Sequence, residues 1–228
     1  MATERFNRAG RQRYGVLLVV TIISLGVQGI VPPGDAKQVL VTALAGASLL
    51  LAFRAAELAP RLMEVAAGLS LLALALSISS ATIGGIGEGA SLAMNAALIA
   101  LGPPAVAVGI VRNVRSSGEV RVEAVMGVLS LYMLIGMAFG FLYGAIDRID
   151  GDPFFAGEEV ATVSRCLYFS FTTLTTVGYG DLVARSDLGH TLAVFEALIG
   201  QIYLVTVVSL IVGNLGRPAR RARQPRET

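Results

Sequence analysis

Long apolar stretches constrain the fold of this chain more than any other feature of its sequence. A helix that crosses a bilayer needs about 20 apolar residues. Six stretches qualify: 14–31, 38–53, 62–83, 90–111, 122–146 and 189–215. A seventh, 163–174, is too short to span and is typical of a re-entrant helix. Only 15% of the residues are charged, against about 25% in soluble domains. The sequence therefore predicts an all-α integral membrane protein with six transmembrane helices and one re-entrant helix.

The placement of arginine and lysine predicts the orientation of these helices. If the N-terminus is cytoplasmic, all but four of the 18 basic residues fall on the inner side. The four exceptions are Lys37, Arg148, Arg165 and Arg185. By the positive-inside rule both termini are then cytoplasmic. The small size and the arginine-rich inner loops favour a multi-pass protein of a prokaryotic plasma membrane.

A glycine-containing motif, T-T-V-G-Y-G-D, occupies 175–181, between the short helix and the last apolar stretch. Consecutive backbone carbonyls that face one axis can replace the water around a dehydrated cation. Gly178 and Gly180 supply positions where a positive φ costs little, and the Thr176 hydroxyl adds a further oxygen. The negative C-terminal end of the short helix favours a cation at the same place. Because one chain supplies one such segment, a pore requires several chains.

Residues 167–181, L-Y-F-S-F-T-T-L-T-T-V-G-Y-G-D, resemble the potassium-channel superfamily, and the similarity continues weakly through 189–203. The resemblance implies a homotetramer around one selectivity filter, with K+ as the permeant ligand and no cofactor. It implies a filter of Thr176, Val177, Gly178, Tyr179 and Gly180, with K+ at the first four, and support from Thr172, Thr175 and Asp181. Gly200 falls where the family has a hinge glycine in its pore-lining helix.

The sequence departs from the family behind the filter. Many members carry an acid at the position of Thr172, so Asp181 lacks its usual carboxyl partner here. We expect Asp181 to bond to pore-helix residues or to water instead. Tyr168, Phe169 and Phe171 are expected to form the aromatic packing around the filter, where relatives often carry tryptophan.

The resemblance also implies a division of the chain. It gives a cytoplasmic tail at 1–13, a four-helix voltage-sensor-like domain at 14–115, a pore domain at 116–216 and a basic cytoplasmic tail at 217–228. A voltage sensor needs several arginines within its fourth helix. Residues 90–111 contain no charge, and Arg112 and Arg115 come only at the end. We therefore expect weak or absent voltage dependence.

Two patterns predict helix packing. Pro103 and Pro104 should kink or split the fourth stretch, because each proline removes a backbone donor. Gly136, Gly140 and Gly144 recur at four-residue spacing, which lets helices approach closely in lipid. We expect these glycines to pack against the last apolar helix or against a neighbour.

Glu196 lies about two turns into the last apolar stretch, where a charge is costly. One hypothesis makes it a protonatable group that couples pH to the filter. The other makes it a structural acid bonded to a pore-helix hydroxyl such as Thr172 or Thr173, and we favour the second.

The remaining features limit the partners and the classes of function. The basic tail follows a membrane helix, so anionic lipid headgroups are its expected partner rather than nucleic acid. One Cys and one His give no nucleophile, base or metal constellation, so an enzyme is not expected. The alternative to a conducting subunit is a regulatory or non-conducting one. A secondary potassium transporter would need four filter loops per chain, whereas this chain has one.

Overall fold

The apolar stretches fold as helices throughout. The structure is a computed structural model that describes residues 2–32, 34–83, 88–117, 122–157 and 159–215. Within these ranges it has eight helices: α1 Ala2–Ile30, α2 Asp35–Ala55, α3 Pro60–Ile83, α4 Glu88–Ala100, α5 Gly102–Ser117, α6 Val122–Asp150, α7 Val163–Leu174 and α8 Asp187–Leu215. The only β-type pairing among the described residues is an isolated bridge between Phe155 and Ala184. The all-α prediction is confirmed.

Among the described residues, five segments are long and apolar enough to cross a membrane: Asp35–Ala55, Pro60–Thr82, Gly89–Arg112, Val125–Asp150 and Asp187–Val207. They confirm a multi-pass membrane protein. The first predicted stretch appears as a shorter apolar segment, Tyr14–Ile30, in the second half of α1. The count of six spans therefore stays a prediction. The basic tail at 217–228 lies outside the described residues.

The fourth apolar stretch is divided in two, as its prolines predicted. Helix α4 ends at Ala100, and α5 begins at Gly102 after a turn at Leu101. Pro103 and Pro104 thus lie in the first turn of α5, where their missing N–H groups leave no helical hydrogen bond unmade.

Helix α6 is central to the packing, with contacts to α1, α4, α5, α7 and α8. One hydrophobic core continues through residues of the first five helices, α6 and α7, including Leu17, Leu49, Ile99, Leu134 and Leu167. Residues on both sides of the predicted 115/116 boundary therefore share this core. The division into two domains stays a prediction.

Of the spaced glycines of α6, Gly136 and Gly140 meet the short helix α7, which is a neighbour other than the last helix α8. A β-carbon on Gly136 would lie 2.8 Å from Phe171, and one on Gly140 would lie 3.0 Å from the Cα of Leu167. A β-carbon on Gly144 would meet Leu92 of α4 at 3.3 Å. The spacing indicated a close approach but could not say which neighbour makes it. Gly136 and Gly140 therefore let α7 lie directly against α6.

We predict that Gly140→Ala lowers the unfolding temperature of the purified protein. The added methyl would clash with the backbone of Leu167, which cannot rotate away, at a cost of about 1–3 kcal/mol. Gly68→Ala on α3 is the matched control, because a β-carbon there meets nothing within 4 Å. The control should leave stability unchanged or raise it, since alanine favours a helix over glycine. Equal unfolding temperatures for the two variants would contradict this packing.

Candidate pore and selectivity filter

The segment after α7 has a backbone in which the sign of φ alternates. Thr176, Gly178 and Gly180 have φ of +59°, +51° and +80°, whereas Val177 and Tyr179 are not among the positive-φ residues. Alternation of right-handed and left-handed residues brings successive N–H groups to one side of a chain. The carbonyls of the same peptides then lie on the other side. This is the backbone that a row of cation-binding carbonyls requires, although Thr176 adopts it without being glycine.

The filter segment is anchored to the C-terminal end of α7. The Thr172 carbonyl accepts hydrogen bonds from the N–H groups of Val177 at 2.9 Å and Gly178 at 3.1 Å. The Thr175 hydroxyl donates to the Phe171 carbonyl at 2.6 Å. Thr172 and Thr175 therefore hold the filter through backbone and local contacts, and neither side chain reaches Asp181.

Asp181 finds its partner one turn further back along α7. The Tyr168 hydroxyl donates to Asp181 Oδ2 at 2.9 Å, and the Tyr168 ring stacks on Tyr179 with centroids 6.2 Å apart. Desolvation, this hydrogen bond and the Asp181 charge raise the pKa of the Tyr168 phenol. The phenol is therefore held as a protonated donor to the carboxylate. In this chain Tyr168, rather than an acid at position 172, is the side chain that bonds to Asp181.

The other two aromatic residues of the predicted packing layer point elsewhere. Phe169 lies in a buried cluster with Tyr143 of α6 and Phe154 and Phe155 of the following loop, with ring centroids 5.3–5.9 Å away. Phe171 lies against Gly136. Among the described residues of one chain, Tyr168 is the aromatic residue of this set whose ring contacts the filter, and the filter packing expected of Phe169 and Phe171 stays a prediction.

The segment that follows the filter is also fixed by backbone hydrogen bonds. The Arg185 N–H donates to the Phe154 carbonyl at 2.8 Å, and the Ala156 N–H donates to the Val183 carbonyl at 2.9 Å. These bonds tie the start of α8 to the loop after α6. Both ends of the filter are thus fixed within the chain, while residues 175–180 between them are exposed.

Gly200 lies where α8 crosses the end of α7. A β-carbon there would be 2.0 Å from the Leu174 carbonyl oxygen. The same carbonyl accepts a hydrogen bond from the Tyr132 hydroxyl of α6 at 3.0 Å. Glycine is therefore required for packing at this crossing, and α8 continues through it without a break. The hinge role of Gly200 stays a prediction.

Glu196 is completely buried between α6, α7 and α8. Its Oε2 accepts from the Tyr143 hydroxyl at 2.6 Å, and its Oε1 lies 2.5 Å from the Ser170 hydroxyl oxygen. The partner on α7 is thus Ser170, and not Thr172 or Thr173 as we expected. Thr172 instead donates to the Phe169 carbonyl within its own helix.

Counting protons in this cluster indicates the state of Glu196. The Ser170 oxygen also lies 2.7 Å from the Gly136 carbonyl oxygen. Three short oxygen–oxygen contacts need three protons, but the two hydroxyls supply one proton each. A protonated Glu196 can donate to Ser170, which then donates to Gly136. This geometry favours a structural acid, and a pH-sensing role stays a prediction.

The sequence that contains these elements is similar to that of known channels. A short re-entrant helix, a glycine-containing segment and a long final helix form the pore region of an ion channel. A family described as "Ion channel" matches residues 127–216, and this match places the chain among channels rather than enzymes. Through this region the chain is similar to potassium channels.

Three relatives illustrate the match. The chain is 35% identical over 88 residues to two pore potassium channel a of Oryza sativa subsp. japonica, over 38% of this chain and 23% of that protein. It is 29% identical over 91 residues to the inward rectifier potassium channel Kirbac3.1 of Paramagnetospirillum magnetotacticum, over 40% and 29% of the two chains. It is 29% identical over 100 residues to a delayed-rectifier potassium channel regulatory subunit of Homo sapiens, over 43% and 20%. The matches span less than a third of each relative. No solved structure matches this chain.

We predict that Tyr168→Phe and Asp181→Ala each lower the unfolding temperature, because each removes the hydrogen bond between the Tyr168 hydroxyl and the Asp181 carboxylate. The expected loss is about 1 kcal/mol for each change. The double variant should lose no more than the worse single variant, because both changes break the same contact. Unfolding temperatures of the four proteins at one K+ concentration measure this, and additive losses would show that the two groups act separately.

We further predict that Glu196→Gln keeps the stability of the wild-type protein, whereas Glu196→Ala does not. A glutamine amide can donate to Ser170 and accept from Tyr143, as the protonated acid does. Alanine leaves a cavity and buried hydroxyls without partners, at about 1–3 kcal/mol for each such group. Unfolding temperatures distinguish the variants, and ion flux at pH 5 to 8 should be the same for the wild type and Glu196→Gln. A pH response that Glu196→Gln abolishes would instead establish the sensor hypothesis.

Proposed function

We propose that four copies of this chain form a potassium-selective pore that conducts K+ passively. The carbonyls of Thr176, Val177, Gly178 and Tyr179, with the Thr176 hydroxyl, replace the water around K+, and Gly180 completes the filter. The observation that carries the proposal is the alternating sign of φ from Thr176 to Gly180. A backbone of this kind offers successive carbonyls on one side, and carbonyl rings of that type select K+ in channels.

The exposed surface of the pore region supports assembly. Val177 and Tyr179 are 53% and 71% exposed in the single chain, although such side chains are normally covered. Helix α8 exposes a stripe of apolar side chains at helical spacing, formed by Val194, Leu198, Ile202 and Val205. Neighbouring copies would cover parts of this surface and supply the other three filter segments. The relatives named as potassium channels support the same function.

We propose that the pore responds weakly or not at all to voltage. Moving one charge through the membrane field is worth about 2.3 kcal/mol per 100 mV, so a steep response requires several charges within the field. Helices α4 and α5 carry no charged residue from Gly89 to Val111. Arg112, the next residue of α5, is exposed.

A regulatory or non-conducting role is the second candidate, because one relative is named as a regulatory subunit. The two candidates differ in what the chain does alone. A conducting subunit passes ions without a second protein, whereas a regulatory subunit does not.

We predict that the purified chain, reconstituted alone in liposomes, passes K+ and Rb+ and passes Na+ at least tenfold more slowly, which is about 1.4 kcal/mol of discrimination. Native mass spectrometry of the same preparation should give a tetramer. The K+ flux should change little when the imposed potential is varied. Flux of all three ions alike would contradict selectivity, and an assembled tetramer without flux would favour the regulatory role.

Gly178→Ala is the sharpest variant for this assay. Its φ of +51° is strained for any residue with a β-carbon, so the carbonyls on either side should move. We expect lost selectivity or lost flux with the tetramer retained. Gly26→Ala on α1, where a β-carbon meets nothing within 4 Å, is the control and should conduct normally.

A further inference from the structure

A cavity of about 840 Å³ lies away from the filter, where α1, α2, α4, α6 and α7 meet. It is at the end of the bundle where α1 ends and where α2, α4 and α7 begin. Its lining combines polar groups with apolar side chains such as Val41, Leu92 and Phe141. None of the residues discussed for conduction lines it.

Three helix N-termini lie at this cavity, and that of α7 is capped by the Thr162 side chain. The first turns of α2, α4 and α7 all contribute to its lining, and a helix N-terminus favours anions. The N-cap of α2 is Gly34, which has no side chain to accept from the first N–H groups. Those donors of α2 therefore have no side-chain cap.

Two cationic side chains also line the cavity, namely Lys37 and Arg148. The Lys37 ammonium donates at 2.8 Å to the carbonyls of Gln28 and Val31, at the end of α1. An ammonium has three N–H donors, so one remains after these two bonds. Asp35, in the first turn of α2, is the acidic side chain of the lining and reduces this positive field.

Two buried amide side chains in the lining each have one atom without a hydrogen-bond partner among the described residues. Gln28 is 3% exposed, and its Nε2 makes no hydrogen bond within the described residues. Asn95 is 2% exposed, and its Oδ1 is likewise unpaired there. A buried polar atom without a partner costs about 1–3 kcal/mol. A bound group that accepts from Gln28 and donates to Asn95 would remove both costs.

We propose that this cavity binds a phosphate-bearing ligand. The phosphate oxygens accept from Gln28 Nε2, from the remaining Lys37 N–H and from the uncapped first turn of α2. A hydroxyl or ammonium group of the same ligand donates to Asn95 Oδ1, as in phosphoglycerol or phosphoethanolamine. The volume exceeds that of phosphate alone, and the apolar lining suits the start of an attached chain. The phosphate can belong to a lipid headgroup or to a soluble phosphate ester.

The test uses the full chain, purified in detergent and stripped of lipid. Short-chain phosphatidylglycerol, phosphatidylethanolamine and diacylglycerol, together with glycerol 3-phosphate and inorganic phosphate, are titrated separately. A ligand that binds the folded state raises the unfolding temperature saturably. We expect this from the two phospholipids and not from diacylglycerol, which lacks phosphate. An equal effect of glycerol 3-phosphate would identify a soluble ligand at the same site.

Two variants locate the binding. Gln28→Leu removes the unpaired donor at similar size and should weaken binding at least about threefold, as expected for one lost hydrogen bond. Lys37→Met removes the charge and should weaken binding about tenfold or more, because bonds to charged groups are stronger. Arg61→Met, an exposed arginine at the start of α3, is the control and should bind as the wild type does.

Two binding results would contradict the proposed phosphate site. No saturable shift with any phosphate compound would overturn the proposal, and so would wild-type affinity in Gln28→Leu. If Lys37→Met fails to fold because the end of α1 loses its cap, Gln28→Leu alone decides. The readout is binding and not ion flux, so the result is independent of the proposed conduction.

Discussion

The pore helix α7 can lie where it does only because glycines on two neighbouring helices leave room for its backbone. Gly136 and Gly140 of α6 let its side face approach, and Gly200 of α8 lets its C-terminal carbonyl approach. The filter begins directly after this carbonyl and bonds back to the same helix end. A shift of a few tenths of an ångström in α7 at these crossings would therefore also move the filter backbone. Carbonyl rings around an ion depend on positions of that accuracy.

Polar contacts then fix α7 against sliding or rotation, since apolar packing alone has little direction. Ser170 and Tyr143 meet Glu196 inside the packed helices, and Tyr168 meets Asp181 at the exposed end. The family pattern places an acid beside Asp181, behind the filter. This chain has a tyrosine as that partner, and its buried acid lies on α8, where it joins three helices. In a low-dielectric interior such a network is stabilising only when every member is satisfied.

The sequence predicted the features that local chemistry dictates. Apolar length predicted the membrane helices, Pro103 and Pro104 predicted the break before α5, and the T-V-G-Y-G motif predicted positive φ at Gly178 and Gly180. It did not predict partners that depend on how helices are rotated about their axes. The glycines of α6 were expected to meet α8 or a neighbour, and Gly136 and Gly140 meet α7. Glu196 was expected to meet a pore-helix hydroxyl such as Thr172 or Thr173, and the hydroxyl that it meets is that of Ser170. Spacing defines the face of a helix but not the neighbour that the face meets.

The single chain fixes both ends of the filter but leaves its middle without cover. Val177 is half-exposed, and Tyr179 has one ring contact, with Tyr168 of the same chain. A backbone that alternates in φ is costly at Thr176, which is not glycine. Contacts on the faces of Val177 and Tyr179, and ions on the carbonyl side, are what would hold such a backbone. In the proposed pore, the conformation of one filter segment would depend on the neighbouring copies and on the cation, so assembly and ion binding should stabilise each other.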